Sequence, residues 1–529
     1  MRLYHLTLFL LAVSLLAACT PPQVTQEVIQ ITVLSHDGSQ TVQIAAGSSA
    51  QAVIEAAGIT LDELDRMEPP AYTVMTDGGQ VRIIRVEETF EIEQVTIPFE
   101  RQTLRNESLP AGESRLVQAG VNGLQELTYR TVLEDGIETG RIPVKSVTVQ
   151  EAIPEILMVG SQTPYATFGI PGKLVYLVGG NAWMMEGDTA NRRPLITTAD
   201  LDGRVFSLSA DGEWLLFSRK SEEENQINTL WVAHIAEGQE PRELDLQAQN
   251  VVHFADWVPG ANRVAYSTVE PRAAAPGWQA NNDLWYVSFS PTTGWVGRPV
   301  EVVEANTGGV YGWWGTHYVF GGEASRLAFA RPDGIGLVDL ADGSLTKVLD
   351  ITPFQTFGDW AWVPGLSWSQ DGQVLYTVQH APEGAGETSE TSPWFDMAAV
   401  SLAGGVPVSL VEQAGMFAYP SPSPAIETGM GEQSFKLAYL EAIIPNQSKD
   451  SKYRLMLADR DGSNRQIIFP LDDAGGIDPQ RVYWSPDMMP GMDAYAVTYL
   501  NQGNLWIVLP GSAPQQVTGD GLVVKIDWK

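Results

Sequence analysis

Ser209-Ala210-Asp211-Gly212-Glu213-Trp214-Leu215-Leu216-Phe217 is a tight polar turn running straight into an apolar strand, and the chain repeats it. Trp257-Val258-Pro259-Gly260 precedes Arg263-Val264-Ala265-Tyr266, Ser369-Gln370-Asp371-Gly372 precedes Val374-Leu375-Tyr376, and Trp484-Ser485-Pro486-Asp487 precedes Ala494-Tyr495-Ala496-Val497. One strand further on, a second element recurs: Asn228-Thr229-Leu230-Trp231-Val232, Asp283-Leu284-Trp285-Tyr286-Val287 and Asn504-Leu505-Trp506-Ile507-Val508. A self-similar period of roughly 50 residues means a repeat architecture, in which each unit buries its apolar face only against its neighbours. The unit reads as turn, apolar strand, loop, Leu-Trp strand, polar turn, strand.

Four short antiparallel strands per unit is the composition of a propeller blade, and the pattern over 172–529 resembles the TolB-type and other WD40-like β-propellers. Cutting at the inner strands predicts blades near 204–250, 251–309, 310–354, 355–416, 417–476 and 477–521. Three strands at 173–203 and the orphan strand Val523-Val524-Lys525-Ile526-Asp527-Trp528 are left to form one more, closed by strands from both ends of the region. The count is seven; long insertions leave six or eight open. Ring closure of this kind removes the sheet edge that would otherwise template aggregation.

Upstream of the joint at 161–171, which holds Pro164, Gly169 and Pro171, the composition changes: all 16 tryptophans lie from Trp183 onward. Residues 27–90 alternate as strands around the turn signal Asp37-Gly38, then offer Ser48 or Ser49 as a helix cap before Val53, Ile54 and Ala57, with Gly58 as the stop. With a closing strand after Asp77-Gly78, this order resembles the ubiquitin-like β-grasp modules that precede G5 domains. Residues 91–160 resemble the G5 domain itself. Glu93-Gln94-Val95-Thr96-Ile97-Pro98 opens it, and Gly112, Gly120, Gly123, Gly136 and Gly160 stand at the five glycine places. Each is expected in a tight turn where positive φ favours glycine. The resemblance implies either contact with N-acetylglucosamine-containing wall glycan or service as a stiff spacer. The expected organisation is thus mainly β: a small β-grasp unit, an elongated G5 module and a propeller.

The leader carries its own chemistry. Arg2 is followed by an apolar run from Leu6 to Leu16, too short to span a bilayer at about 20 residues but suited to a secretory signal. Leu16-Ala17-Ala18-Cys19 is similar to the bacterial lipobox, and Cys19 is the chain's single cysteine. By that resemblance residues 1–18 are removed, Cys19 is acylated, and 19–26 link the anchor to the folded part. Several acyl chains, at about 0.8 kcal/mol per buried methylene, give a lasting hold on the membrane. An ordinary secretory leader with a chance cysteine is the competing reading.

With 32 basic against 64 acidic residues, the net charge of −32 excludes a phosphate-tracking nucleic-acid binder. One cysteine excludes intramolecular disulfides and cysteine-ligated zinc. No G-x-S-x-G or H-E-x-x-H occurs, so no catalytic residue, metal site or cofactor is nominated. Asp459-Arg460-Asp461-Gly462-Ser463-Asn464 has calcium-like composition but reads as a turn, and His253 as a core histidine with a hydrogen bond. The aromatics Trp313, Trp314, His317, Trp360 and Trp362 crowd two blade starts, beside Tyr311. They either pack between blades or form a platform for a sugar face. The functional expectation is a lipid-anchored, extracytoplasmic binding or scaffold protein with a protein or glycan partner in the envelope. The alternative is a propeller glycoside hydrolase or lyase.

Overall fold

The structure is a computed structural model that describes residues 27–106, 109, 113–160, 165–236, 241–307, 312–381, 389–427, 433–471 and 475–529. Cys19, Gly112 and Tyr311 lie outside them. Contacts divide the described residues into two compact units, one holding those of 27–104 and 114–159, the other those of 105–113 and 160–529. No helix among the described residues is long and apolar enough to cross a membrane.

In the first unit, Val28–Ser35 and Gly38–Ala45 form an antiparallel hairpin, and Gln80–Ile84 adds to the first strand in parallel. Arg66–Glu68 completes a four-stranded mixed sheet. Helix Ala50–Ala56 begins at Ser49, whose Oγ accepts from the Ala52 N–H at 3.4 Å. The apolar face of the helix (Val53, Ile54) closes over Ile31, Val33, Val81 and Ile83, all nearly inaccessible. This core is small, ten buried residues with a few partly buried ones around it.

Strand Val86–Ile97 then pairs with Gly123–Glu134, which pairs with Ile137–Gln150. The expected joint between residues 90 and 91 therefore falls inside a single strand, and the two modules share it. Among the described residues this sheet has no covering layer over Phe90, Ile92 and Ile137, which are exposed. A second three-stranded sheet joins Arg101–Asn106, Glu155–Gly160 and Ser114–Gln118.

The described glycines of this stretch do not share one reason for being glycine. Asp135 and Gly136 both take positive φ (50° and 77°), the conformation that a two-residue hairpin turn demands. Gly120 and Gly123 are not in the left-handed region. A Cβ on Gly123 would sit 2.6 Å from the Ala152 nitrogen and the Gln150 oxygen, and one on Gly120 would sit 2.3 Å from the Phe99 ring. Gly160 ends a strand. The positive-φ expectation thus holds for Gly136 and is corrected for Gly120 and Gly123, where close backbone or ring approach is the cause. Gly123→Ala, against rigid backbone, is expected to cost about 1–3 kcal/mol, and Gly136→Ala about 1 kcal/mol. Urea midpoints of the two variants check that order.

The second unit is a seven-bladed β-propeller. Six four-stranded antiparallel sheets begin at Leu201–Leu208, Ala255–Trp257, His317–Phe320, Leu366–Trp368, Ser421–Pro422 and Tyr483–Trp484, each in simple sequential order. The seventh is three-stranded, with Gly169–Val178 between Asn181–Ile196 and Val523–Trp528. The three strands expected in 173–203 are two in the structure. Gly187 (φ 74°) bends Asn181–Ile196 without ending it, and the residues from Leu201 on belong to the next blade.

The repeated turn has a repeated mechanism. Ser209 and Ser369 each donate to the aspartate two residues on, accept the N–H of the residue starting the next strand, and precede a glycine at φ 66°. The calcium-like segment is a turn of the same sort, with Lys436 ion-paired to Asp459. Tryptophans tie blades together: the indole N–H of Trp257 donates to Ser207 O, that of Trp368 to Val319 O and that of Trp484 to Ser421 O. In each case the donor sits on the innermost strand of one blade and the acceptor on the innermost strand of the blade before. A buried indole N–H needs such a partner. Trp506 packs on Phe469 of the preceding blade, ring centroids 5.9 Å apart.

Candidate functional site

The innermost strands leave a central channel with a cavity of about 480 Å³. All seven blades contribute to its wall, through Arg204, Asp256, His317, Val363, Tyr419, Arg481 and Lys525 among others. At one mouth it meets a second cavity of about 340 Å³, sharing His253, His317, Val363 and Tyr419 with it. Both volumes lie in or near the range of about 300–1,000 Å³ usual for small-molecule sites.

Four of the five aromatics singled out from sequence line that mouth: Trp314, His317, Trp360 and Trp362. They arrive on the segments leading into the blades at His317 and Leu366, so the crowding seen in the sequence becomes proximity in space. Trp362 is 1% exposed and belongs to the core: its indole N–H donates to Met416 O at 2.9 Å, and its ring meets Phe395 edge-on. It is the floor of the mouth, not a face offered to a ligand. Trp360 is half-buried, and Lys449 Nζ lies 5.6 Å from its ring centroid. Trp313 is not in the wall of this cavity; its carbonyl accepts from the Ala280 N–H.

Sequence reading missed Trp278, Phe417 and Tyr419, which complete the mouth. Trp278 comes from an extra hairpin, Val269–Pro271 with Trp278–Ala280, inserted within a blade and outside the repeat. A single Trp in an insertion carries no periodic signal.

His253 also departs from expectation. It is not in the inner strand but just before it, and its buried Nε2 has no hydrogen-bond partner among the described residues. Its ring stands edge-on to Trp278 at 4.4 Å and 5.8 Å from the His317 ring. Burial, with His317 and Arg204 nearby, pushes its pKa down to about 3. Burial, with Arg481, pushes His317 down to about 4. Both imidazoles are therefore neutral at pH 7 and can donate through one nitrogen and accept through the other.

These depressions have a stability consequence. As pH falls below about 6.5, the unfolded chain takes up protons on both histidines that the folded chain refuses, so stability drops through the window from about 6.5 towards 4. His253→Phe, which keeps the ring contact with Trp278, is expected to flatten that part of the melting-temperature profile.

On the channel wall, four cationic side chains (Arg204, Arg481, Lys525, Lys529) stand with two carboxylates, Asp256 and Asp527. Asp527 is bound by the Leu208 N–H at 2.7 Å. Burial raises the Asp256 pKa, and Asp527 adds to the effect against the pull of Lys529. Arg481 and Lys525 make no ion pair among the described residues, and burial together with Arg481 lowers the Lys525 pKa. A locally cationic channel in a chain of net charge −32 is thus the main electrostatic feature of the site.

Comparison with known proteins addresses the first unit most sharply. Residues 88–162 match the G5 domain family. The chain carries a G5 domain. Over 153 residues, about twice the length of the G5 match, it is 33% identical to resuscitation-promoting factor RpfB of Mycolicibacterium smegmatis. It is 24% identical over 152 residues to resuscitation-promoting factor Rpf2 of Corynebacterium glutamicum. Each match takes in 28% of this chain and 40% of the relative, so the chain spans well under two thirds of either protein. Among solved structures, the G5 domain of an IgA1 protease is 22% identical, covering 15% of this chain and 94% of that one at a TM-score of 0.12. A protein from Lactobacillus plantarum is similar over 67% of this chain and 98% of its own, with 14% identity and a TM-score of 0.38.

Proposed function

We propose that this chain is an extracytoplasmic recognition protein, held to the membrane by acylated Cys19. In this reading residues 27–90 are a β-grasp module, the G5 domain meets cell-wall glycan, and the propeller takes a glycan or protein partner at its channel mouth. The G5 match at 88–162 is the observation that carries the reading. The exposed single-layer sheet, with Phe90, Ile92 and Ile137 facing solvent, supports a role in contact and not in storage of a core. The mouth supports recognition by the propeller, since half-buried aromatics over a polar channel are the usual furniture of a binding site.

Sedimentation with purified peptidoglycan tests it, using the chain lacking residues 1–19 beside segments 27–160 and 165–529. Retention of the long chain and of 27–160 is the expected result. If neither is retained, the G5 domain here is a spacer and wall contact is lost from the reading. A second reading, a hydrolase or lyase, draws on one observation: Asp256, its pKa raised, shares the channel with Asp527. A carboxyl held protonated by burial is what a general acid requires, and a second carboxylate in the same cavity offers a base.

A further inference from the structure

The cations of the channel are arranged as if for a partner that is anionic. Arg481 and Lys525 line the same stretch of cavity wall, and neither has an ion-pair partner among the described residues. Neighbouring like charges that make no ion pair repel each other even with Asp256 and Asp527 elsewhere on the wall, and an anion bound between them relieves that repulsion. The overall charge of −32 does not cancel this attraction: at physiological salt, fields fade over about 8 Å, so the groups lining the channel dominate inside it.

A second, independent observation points the same way. The mouth that opens off the channel at His253, His317, Val363 and Tyr419 is lined by Trp278, Trp314 and Trp360, rings suited to the apolar face of a pyranose.

We propose that the channel and its aromatic mouth bind an acidic saccharide. Arg481 and Lys525 take its carboxylate, and the mouth tryptophans stack on the adjoining sugar ring. A lone inorganic anion would use the cations and leave the aromatics idle; a neutral sugar would do the reverse. Both halves of the site together select a sugar that carries a carboxylate. The inference rests on the reading of the propeller as a recognition module, and names its ligand class.

Calorimetric titration of the chain lacking residues 1–19 with cellobiouronic acid, with cellobiose and with inorganic phosphate tests it. Binding of cellobiouronic acid about tenfold or more tighter than cellobiose is expected, as one charge-assisted pair contributes on that scale. The double variant Arg481→Gln/Lys525→Gln should abolish the difference, and Trp360→Ala should weaken both sugars. Both side chains reach solvent in the channel, and a melting temperature equal to or above the parent's shows the double variant folded. Phosphate binding as tightly as cellobiouronic acid, with no response to Trp360→Ala, overturns the saccharide assignment. Absence of binding by all three overturns the inference, and retention on peptidoglycan then shows whether the broader reading survives it.

Discussion

Removing Val523–Trp528 is expected to abolish the folded propeller. That strand pairs with Gly169–Val178 from Leu174 to Val178, closing the ring with residues far apart in sequence. Val523, Ile526 and Trp528 are almost fully buried, and the Trp528 indole N–H donates to Pro171 O at 2.8 Å. Asp527 reaches across to the Leu208 N–H, joining the closing strand to the next blade. Loss of the strand exposes a long apolar edge, so aggregation is expected rather than a stable open ring. The milder Trp528→Ala should cost about 3–5 kcal/mol, while Val524→Ala, on the exposed face of the same strand, should stay within about 0.5 kcal/mol. Tryptophan fluorescence in urea measures this cleanly, because every tryptophan lies from Trp183 onward and none reports on the first unit.

The second large effect separates two neighbouring tryptophans that look alike in sequence. Trp362→Ala should destabilise the propeller by about 3–5 kcal/mol. Its ring is 1% exposed, packs against Phe395, and leaves Met416 O without its donor when removed. Trp360→Ala should cost less, since that ring is half-buried, packs only on the edge of the core and adds a cation–π contact to Lys449 of about 0.5–1 kcal/mol at an accessible site. Urea midpoints of the two variants are the check. Equal losses would mean that both rings are core, and the mouth would then lose its main sugar-facing surface.

Much of this architecture was legible because blades repeat. The Ser-x-Asp-Gly turns at 209–212 and 369–372 announce themselves, since their hydrogen bonds are local and need those residue types. The Asp135-Gly136 hairpin is legible for the same reason. Gly120 and Gly123 were recognisable as glycine places, but their cause is not local: it lies in Phe99 and in the backbone at 150–152. The inter-blade bonds of Trp257, Trp368 and Trp484 join residues about 50 to 60 positions apart, so their role needed the ring to be closed. The site divides likewise. Trp314, His317, Trp360 and Trp362 were visible as clusters, whereas Trp278, Arg481 and Lys525 arrive from three separate blades and meet only around the axis. His253 was noticed and misread, because sequence shows a histidine near a strand but not whether its nitrogens find partners.

The most direct test of recognition without turnover is to hold the chain lacking residues 1–19 with soluble, size-defined peptidoglycan glycan strands. Binding is followed by calorimetry, and the same mixture is then sized by chromatography. Saturable binding with every glycan strand recovered at its starting length is the predicted result. Shortened strands, lost again in Asp256→Asn, would contradict it and establish the channel as a catalytic site.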